Sequence, residues 1–344
     1  MHLRHRAMQP GDIRKCVSIV ANHPVLGPRY GPMIEHLPEA WLRLLQYDAK
    51  FAFVAQDGES PDAPICLFGV SVFVNEDFLR DVKSFPHFWV GPELTRRIMN
   101  GKPPLLTGKQ LREANSRSGL NMICWEACVH PEYEAQGEVQ RYLMSVFIQN
   151  HRGYLWKEVI AVQCDTPGKL DFALRTGGYL WDSIAGGYTS ELRSDLNEIV
   201  ARPHITGVTR DLELERQSDW GASWIGAVFD YRPPILGLNP SEQRLLTYAL
   251  PGVTDEQLAA MLEISIPTVK KKWISIYRRL KDRLPELYPN SLPPDIPVNG
   301  RGKEKRRRLL TYLREHPEEL RPTLCVRTRK STNQRAHVGS KPSK

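Results

Sequence analysis

Cationic side chains recur at helical spacing between residues 267 and 278. The polar arc of the helix predicted here carries Pro267, Lys270, Lys271, Ile274 and Arg278. The opposite arc is apolar and consists of Val269, Trp273, Ile276 and Leu280, spaced 4, 3 and 4 residues apart. Lysine and arginine release counterions from phosphates, and lysine donates hydrogen bonds to guanine. The pattern therefore predicts a helix that packs through one face and binds a polyanion through the other.

A second group of reactive side chains lies along a predicted strand at 121–129. Cys124, Glu126, Cys128 and His130 occupy alternate positions and are expected on one face of the strand. Neighbouring positions on one strand rarely surround a tetrahedral ion, and there is no second ligand pair at zinc-like spacing, so we predict no metal site. We interpret the cysteines as small apolar core residues and Glu126 as a candidate general base.

Three short helices are expected to position the cationic arc. Asn239 is predicted to cap the first before Pro240, Thr254 and Gln257 form a capping box for the second, and Ser265 caps the third. Two short helices, a tight turn and a third amphipathic helix form a helix-turn-helix, whose last helix lies in the DNA major groove. The alternative is a basic three-helix bundle that binds no DNA.

Three segments of this region resemble the signature blocks of the LuxR-type helix-turn-helix, a family of transcriptional regulators. They are 238–242, 254–259 and 265–270. The residues that the resemblance places against base edges are Lys270, Lys271 and Ile274. Those that it places near phosphates are Thr268, Lys272 and Arg278. The partner implied is double-stranded DNA.

The chain departs from that family after Leu284. The family continues into a fourth helix used for dimerisation, whereas prolines follow here at 285, 289, 293 and 294. A homodimer would therefore need another geometry. A helix is predicted again at 303–314, where Leu309, Leu310 and Leu313 would dock on the other three. Its cationic residues, expected to point at phosphate or simply to be solvated, are Lys305, Arg306, Arg307 and Arg308.

The first 190 residues alternate predicted strands with predicted helices. The strands are 51–55, 65–74, 121–129 and 159–163. The helices are 10–22, 35–47, 137–150 and 168–176. Interleaved strands and helices indicate an α/β or α+β layered domain. Residues 77–118, with four prolines, are expected to form an insertion or a lid-like loop.

The strand that ends at Val129-His130-Pro131, followed by a turn and a helix, resembles the GNAT-type acyltransferases. The resemblance implies that backbone N–H groups at the helix start hold the pyrophosphate of coenzyme A, where an anion is favoured. The implied residues are Val129, Gly137, Glu138 and Val139, and the implied cofactor is acetyl-CoA or another acyl-CoA.

The chain also departs from the GNAT pattern. Glu134 and Val139 replace an Arg or Gln and a small residue of the usual turn, and Leu174 replaces a tyrosine general acid. We therefore predict that the domain serves in sensing an effector, such as an acyl-CoA, or in assembly. An active N-acyltransferase that uses Glu126 is one alternative. A small-molecule receptor of the autoinducer type, with a cavity lined by Trp41, Tyr47 and Trp89, is another.

Charge divides the chain of 344 residues. Residues 235–344 contain 22 basic and 11 acidic side chains, whereas the preceding residues contain 25 and 28. This division indicates a polyanion-binding module joined to a near-neutral domain. No apolar run reaches the length of a membrane span, and six scattered cysteines without a secretory segment indicate free thiols. We expect a cytoplasmic protein associated with the nucleoid.

These observations predict a sequence-specific DNA-binding transcriptional regulator. Its expected fold class is an α/β (α+β) GNAT-like N-terminal domain followed by an all-α helix-turn-helix domain. The expected segments are a GNAT-like domain at 1–190, a connector at 191–235, a helix-turn-helix at 236–290, a basic accessory helix at 291–324 and a disordered basic tail at 325–344.

Overall fold

A computed structural model describes residues 1–60, 63–164, 174, 177–183, 185–190, 203–218, 223–287 and 301–324. Its centre is a mixed sheet of eight strands in the order β1-β2-β3-β4-β5-β8-β6-β7. The strands are β1 (Leu3–Ala7), β2 (Lys50–Asp57), β3 (Ile65–Val74), β4 (Leu120–Val129), β5 (Trp156–Cys164), β6 (Tyr179–Asp182), β7 (Gly187–Thr189) and β8 (Pro203–Thr209). The α/β class predicted for the N-terminal part is confirmed.

The direction of pairing changes in the middle of the sheet. The pairs β1–β2, β2–β3 and β3–β4 are antiparallel, whereas β4 and β5 are parallel. The β4–β5 ladder starts with Leu120 opposite Trp156 and ends with Cys124 opposite Ala161. Beyond that point β5 continues along β8, while among the described residues the second half of β4 pairs with β3 alone. The two parallel strands are therefore no longer hydrogen-bonded to each other beyond Cys124 and Ala161.

Helices cover the sheet. They are α1 (Ile13–Asn22), α2 (Leu26–Tyr30), α3 (Leu37–Leu44), α4 (Glu76–Lys83), α5 (Val90–Met99), α6 (Gly108–Ser116), α7 (Gly137–His151), α8 (Arg210–Ser218) and α9 (Gly226–Phe229). One apolar cluster includes buried side chains of α1, α3, α5 and the central strands. A smaller one joins β2 and β3 to Val139 and Val146 of α7.

The prolines of residues 77–118 predict an insertion or a lid-like loop, but the structure forms helices here. These helices are α4, α5 and α6, and caps explain why they form despite the prolines. The side chain of Asn75 accepts a hydrogen bond from the Phe78 amide, and Thr107 and Gln110 form a capping box. Phe78, Leu94 and Leu111 are buried, so the helices belong to the core.

The expected connector at 191–235 is also wrong in part. Strand β8 lies between β5 and β6, where Ile205 and Val208 are buried, and α8 follows it directly. The segment 203–209 has neither apolar alternation nor a continuous apolar run, so its sequence carries no clear strand signal. The helix predicted at 168–176 and the tail predicted at 325–344 lie outside the described residues, apart from Leu174.

The C-terminal helices share a second apolar cluster, formed by residues between Leu236 and Leu320. They are α10 (Pro240–Ala249), α11 (Asp255–Leu262), α12 (Ile266–Arg283) and α13 (Arg301–Glu315). The predicted caps are present: Asn239 and Thr254 form capping boxes, and Ser265 accepts from the Thr268 amide. Leu309, Leu310 and Leu313 are buried against α10 to α12, as expected.

No helix among the described residues has both the length and the apolar character needed to cross a bilayer.

Candidate functional site

Glu126 lies on β4 two residues beyond the last β4–β5 pair, where the two strands are no longer hydrogen-bonded to each other. The register of β3 and β4 shifts here, with Ser71 opposite Cys124 and Val70 opposite Glu126. Trp125 is the extra residue of a β-bulge, a feature that redirects side chains. As a result, Trp125 and Glu126 both reach the hydroxyl of Tyr30 in α2. The Trp125 Nε1 donates to Tyr30 Oη at 3.0 Å, and that hydroxyl donates to Glu126 Oε1 at 2.7 Å.

The Glu126 carboxyl is suited to exchange a proton near neutral pH. Burial raises its pKa to about 7, against the opposing effects of the Tyr30 hydrogen bond and the Arg29 charge. Trp125 occupies the Tyr30 oxygen as a donor, so the Tyr30 proton is directed at the carboxylate. A group with this pKa is half ionised at neutral pH, which is the condition for an efficient general base.

The start of α5 packs on the same pair. A Cβ added to Gly91 would overlap the Tyr30 hydroxyl and lie 3.2 Å from Glu126 Oε1. Glycine is therefore required at this position by close approach rather than by backbone conformation. Trp89, two residues earlier, lies beneath the Arg29 guanidinium, whose carbon is 4.5 Å from the ring centroid.

The turn after β4 leads into α7 without a side-chain cap at Gln136. The amide of Val139 donates to the Gln136 oxygen at 2.9 Å, and the Val139 side chain is buried. Of the predicted pyrophosphate residues in this helix, Gly137 and Glu138 therefore have the backbone amides at the helix start that could bind an anion. The Arg141 guanidinium lies one turn on, 3.4 Å from the position that a Cβ would take on Gly137. The sequence pattern did not reveal this cation. Its positive charge has the opposite sign to that of the Glu138 carboxylate at the same helix start.

The bulge also corrects the predicted face of β4. Because Val70 and Ser71 point to opposite faces of β3, their partners Glu126 and Cys124 do the same. Cys124 Sγ faces Ser71 Oγ at 3.9 Å, and burial raises the pKa of its thiol to about 11. Within the described ranges no group of three or more His, Cys, Asp or Glu is placed to hold a metal ion.

Trp41 belongs to the core rather than to a receptor cavity. It is 1% exposed and packs edge-on against Phe68 and Trp125. Trp89 is covered by the Arg29 guanidinium, and Tyr47 packs half-buried against the main apolar cluster. A cleft of about 470 Å³ lies elsewhere, between the start of β2 and α3, where Lys50 and Leu45 contribute to its wall.

The C-terminal helix α12 presents the predicted cationic arc to solvent. Lys270, Lys271 and Arg278 are exposed, and Ile274 between them is 59% exposed. Its other face is buried through Val269, Trp273, Ile276 and Leu280. Thr268 takes part in the cap with Ser265, with 2.9 Å between their hydroxyls. Lys272 donates to Ser241 Oγ at 2.6 Å and so joins α12 to α10.

The predicted cationic cluster of α13 is divided: the Arg307 side chain is 69% exposed, whereas Arg306 is 22% exposed. Arg306 points into the fold, donating to Asp255 Oδ1 at 2.9 Å and to the Val253 oxygen at 2.6 Å, with its guanidinium over the Trp273 ring. Arg307 and Arg308 each donate to Glu304 at 2.8 Å. Their hydrogen bonds lower the pKa of Glu304 to about 2. Lys305 also has an interaction within the protein.

The sequence indicates Glu126 as a candidate general base but assigns to its site none of the residues that the structure places around it. Tyr30, Arg29, Trp89 and Gly91 come from α2 and from the region expected to be a loop. The separation of Tyr30 and Glu126 by 96 positions leaves no local pattern. A buried glutamate on a predicted strand was the one available signal, since such a group needs a partner.

Comparisons with known proteins find solved structures that are similar at low sequence identity and low TM-score. No protein-family model matches the chain, and no curated protein matches it. An uncharacterised protein from Bacillus halodurans is 12% identical, over 64% of this chain and 90% of its own, with a TM-score of 0.37. A chimera of spermidine N-acetyltransferase SpeG from Vibrio cholerae with hSSAT is 11% identical, over 63% and 100%, with a TM-score of 0.37.

Arabidopsis thaliana NAA60, in complex with a bisubstrate analogue, is also similar, with 11% identity over 60% of this chain and 97% of that one and a TM-score of 0.35. At these identities and scores the similarity carries no information about activity.

Proposed function

We propose that this protein binds double-stranded DNA through α12 and acts as a transcriptional regulator. The observation that carries the proposal is the free cationic arc of α12. Lys270, Lys271 and Arg278 form no hydrogen bond or salt bridge with any described residue, whereas Lys272, Arg279 and Arg306 are all engaged within the module. Exposed cations without hydrogen bonds or salt bridges on one face are available to phosphates and base edges. Lys270 acts on Glu256 through its charge alone.

The rigidity of the module supports the same function. Glu242 of α10 accepts from Ser275 Oγ at 2.7 Å and pairs with Arg279 at 3.3 Å, while Trp273 Nε1 donates to Asp255 of α11 at 3.2 Å. Both earlier helices thereby fix the rotation of α12 about its axis. A helix held in this way presents the same side chains at every encounter, which reading of base edges requires. Such a protein would be located at the nucleoid.

The test is a double substitution, Lys270→Ala with Lys271→Ala. We expect the binding free energy for a mixed-sequence DNA duplex to weaken by at least about 1 kcal/mol. The slope of log K against log salt concentration should become less negative by the amount expected for about two lost phosphate contacts. The matched control is Lys102→Ala with Lys109→Ala, which removes two exposed lysines from the N-terminal half. Fluorescence anisotropy over a salt series measures both quantities.

An affinity and a salt slope unchanged in the first variant would contradict the proposal. Equal losses in both variants would also contradict it, because the effect would then follow net charge rather than α12. Genomic footprinting with the tagged protein would show whether binding is sequence-specific and which sites it selects.

The second candidate function is acyl transfer from an acyl-CoA to an amine, favoured by the Glu126–Tyr30 pair. Acetyl-CoA would supply an activated acyl group as a thioester. In this proposal Glu126 removes a proton from the acceptor amine as nitrogen bonds to the acyl carbon, the carbon–sulfur bond breaks, and the thiolate leaves to take a proton from solvent. The amides of Gly137 and Glu138, with Arg141, would hold the pyrophosphate.

Titration calorimetry with acetyl-CoA tests this candidate directly. Saturable binding is expected, and Glu126→Gln should leave that binding intact while reducing thiol release by about 100-fold or more. Gly137→Asp should instead weaken binding, since it adds a carboxylate where the pyrophosphate would lie. Absence of saturable binding at millimolar acetyl-CoA would remove acyl transfer and leave the regulatory function without a catalytic domain.

A further inference from the structure

Arg29 is a half-buried cation near Glu126, on which it acts through its charge. Its guanidinium stacks on the Trp89 ring, and its Nε atom is buried with no hydrogen-bond partner. It forms no salt bridge with any carboxylate among the described residues. Most buried donors in proteins are satisfied, so an unsatisfied one beside a candidate base points to a missing acceptor.

Glu126 does not fill this role. Its Oε1 is bonded to Tyr30, and Arg29 affects it only through its charge. Arg29 and Tyr30 are neighbours in α2, and Trp89 and Gly91 flank the start of α5, so the two pairs lie side by side against one wall of the site. The guanidinium is thus held by stacking on Trp89, and no hydrogen bond joins it to a described residue.

We propose that Arg29 and Trp89 form an oxyanion subsite for the acceptor, so that the acceptor is an amine whose other end carries a carboxylate or a phosphate. This inference rests on the acyl transfer proposed above for the same site. The planar guanidinium matches both groups, and stacking on Trp89 orients its donors before the ligand arrives. The amine of such an acceptor would reach Glu126 while its anionic end pairs with Arg29.

The experiment compares three series of acceptors of graded chain length with the full chain. They are ω-amino carboxylates, aminoalkyl phosphates, and alkylamines that lack the anionic end. Calorimetry measures binding, and thiol release from acetyl-CoA measures turnover. We expect kcat/KM for at least one anionic series to exceed that of the alkylamines by about tenfold or more. The better of the two anionic series identifies the group.

Arg29→Gln should bring binding and kcat/KM of the anionic acceptors down to the level that the alkylamines have in the same variant. Because the Arg29 charge also lowers the pKa of Glu126, the readout is the ratio of each anionic series to the alkylamines within one variant. Arg29→Lys should restore part of the preference, because it keeps the charge but not the planar fork. The matched control is Arg14→Gln, which removes an exposed arginine of α1. A loss that is equal for all three series would instead mean that Arg29 only positions Glu126, and would overturn the subsite.

Binding and turnover separate the two proposals. Binding of an anionic acceptor that depends on Arg29, without any thiol release, would leave the subsite standing and remove acyl transfer. Thiol release with no preference for an anionic end would leave acyl transfer standing and remove the subsite. Absence of binding for both anionic series at millimolar concentration would also remove the subsite.

Discussion

Glu126 links the stability of the domain to pH. Burial raises its pKa to about 7 from an ordinary value of 4.5. Between these two values the folded chain holds a proton that the unfolded chain has already lost. The unfolded state therefore binds fewer protons across this window, and the free energy of unfolding decreases as pH rises through it. The retained carboxylate is consistent with a residue kept for function at a cost in stability.

Glu126→Gln is expected to remove that cost. The amide is neutral at every pH, and its oxygen can still accept from Tyr30. The free energy of unfolding should rise by about 1–3 kcal/mol at about pH 8, and by little at about pH 4, where the carboxyl of the folded chain is already protonated. Denaturant titrations at the two pH values measure the difference. A gain of the same size at both would mean that packing, not charge, causes it.

The identity of Glu126 as a candidate base followed from the sequence, but its environment did not. The bulge at Trp125 shifts the register by one residue, and alternation along β4 gave no sign of it. Tyr30 and Arg29 lie in a helix of five residues that carries no periodic pattern. Long-range contacts of this kind depend on how the helices pack on the sheet, and residue propensities for helix or strand carry no information about that packing.

Among the elements, the C-terminal helices were predictable because their signals are local. Asn239, Thr254 and Ser265 cap helices through hydrogen bonds that span no more than three residues. The apolar repeat of α12 likewise needs only its own 3.6-residue period. By contrast, the role of Arg306 was mispredicted, because a run of arginines looks the same whether its members face solvent or a neighbouring ring.

Arg306→Ala should destabilise the C-terminal module. The substitution removes two hydrogen bonds and the contact with Trp273, and leaves the Val253 oxygen without this donor. We expect a loss of about 2–3 kcal/mol in the free energy of unfolding, measured by denaturant titration of Trp fluorescence. Arg307→Ala is the control, since its solvent-exposed pair with Glu304 should contribute far less to stability.

DNA affinity then separates structure from recognition. Measured at a temperature where the module stays folded, Arg306→Ala should leave the salt slope of DNA binding unchanged. A slope that flattens in this variant, with stability unaltered, would place Arg306 at a phosphate as the sequence suggested.

At the scale of the whole molecule, residues 319–324 join the two apolar clusters. Glu319 accepts from the amides of Ile235 and Leu236 at 2.8 and 3.0 Å, where the C-terminal helices begin. Two residues later, Arg321 donates to the backbone oxygens of Arg152 and Gln149 at 2.8 and 3.3 Å. These carbonyls lie at the C-terminal end of α7, where the helix dipole favours a cation.

Helix α7 therefore connects the proposed acyl-CoA site to the C-terminal segment 319–324. Its first residue, Gly137, belongs to the proposed acyl-CoA site, and its last turn is capped by Arg321 from the other end of the chain. Gly153 makes the approach possible, since a Cβ there would overlap the backbone of Glu318. The division of charge in the sequence predicted two functions, but it held no sign that the chain would return to the sheet after α13.

Arg321→Ala is expected to uncouple the two parts of the molecule. Besides its hydrogen bonds, the guanidinium stacks on Tyr154 at 4.7 Å, so its loss should cost about 2–4 kcal/mol. In calorimetry the C-terminal helices of the variant should unfold at a lower temperature than the sheet, whereas the parent protein should unfold in a single transition. Arg283→Ala, which removes an exposed arginine at the end of α12, is the matched control. If both parts of the Arg321 variant still melt together at the parent temperature, the contact between residues 319–324 and α7 does not couple them.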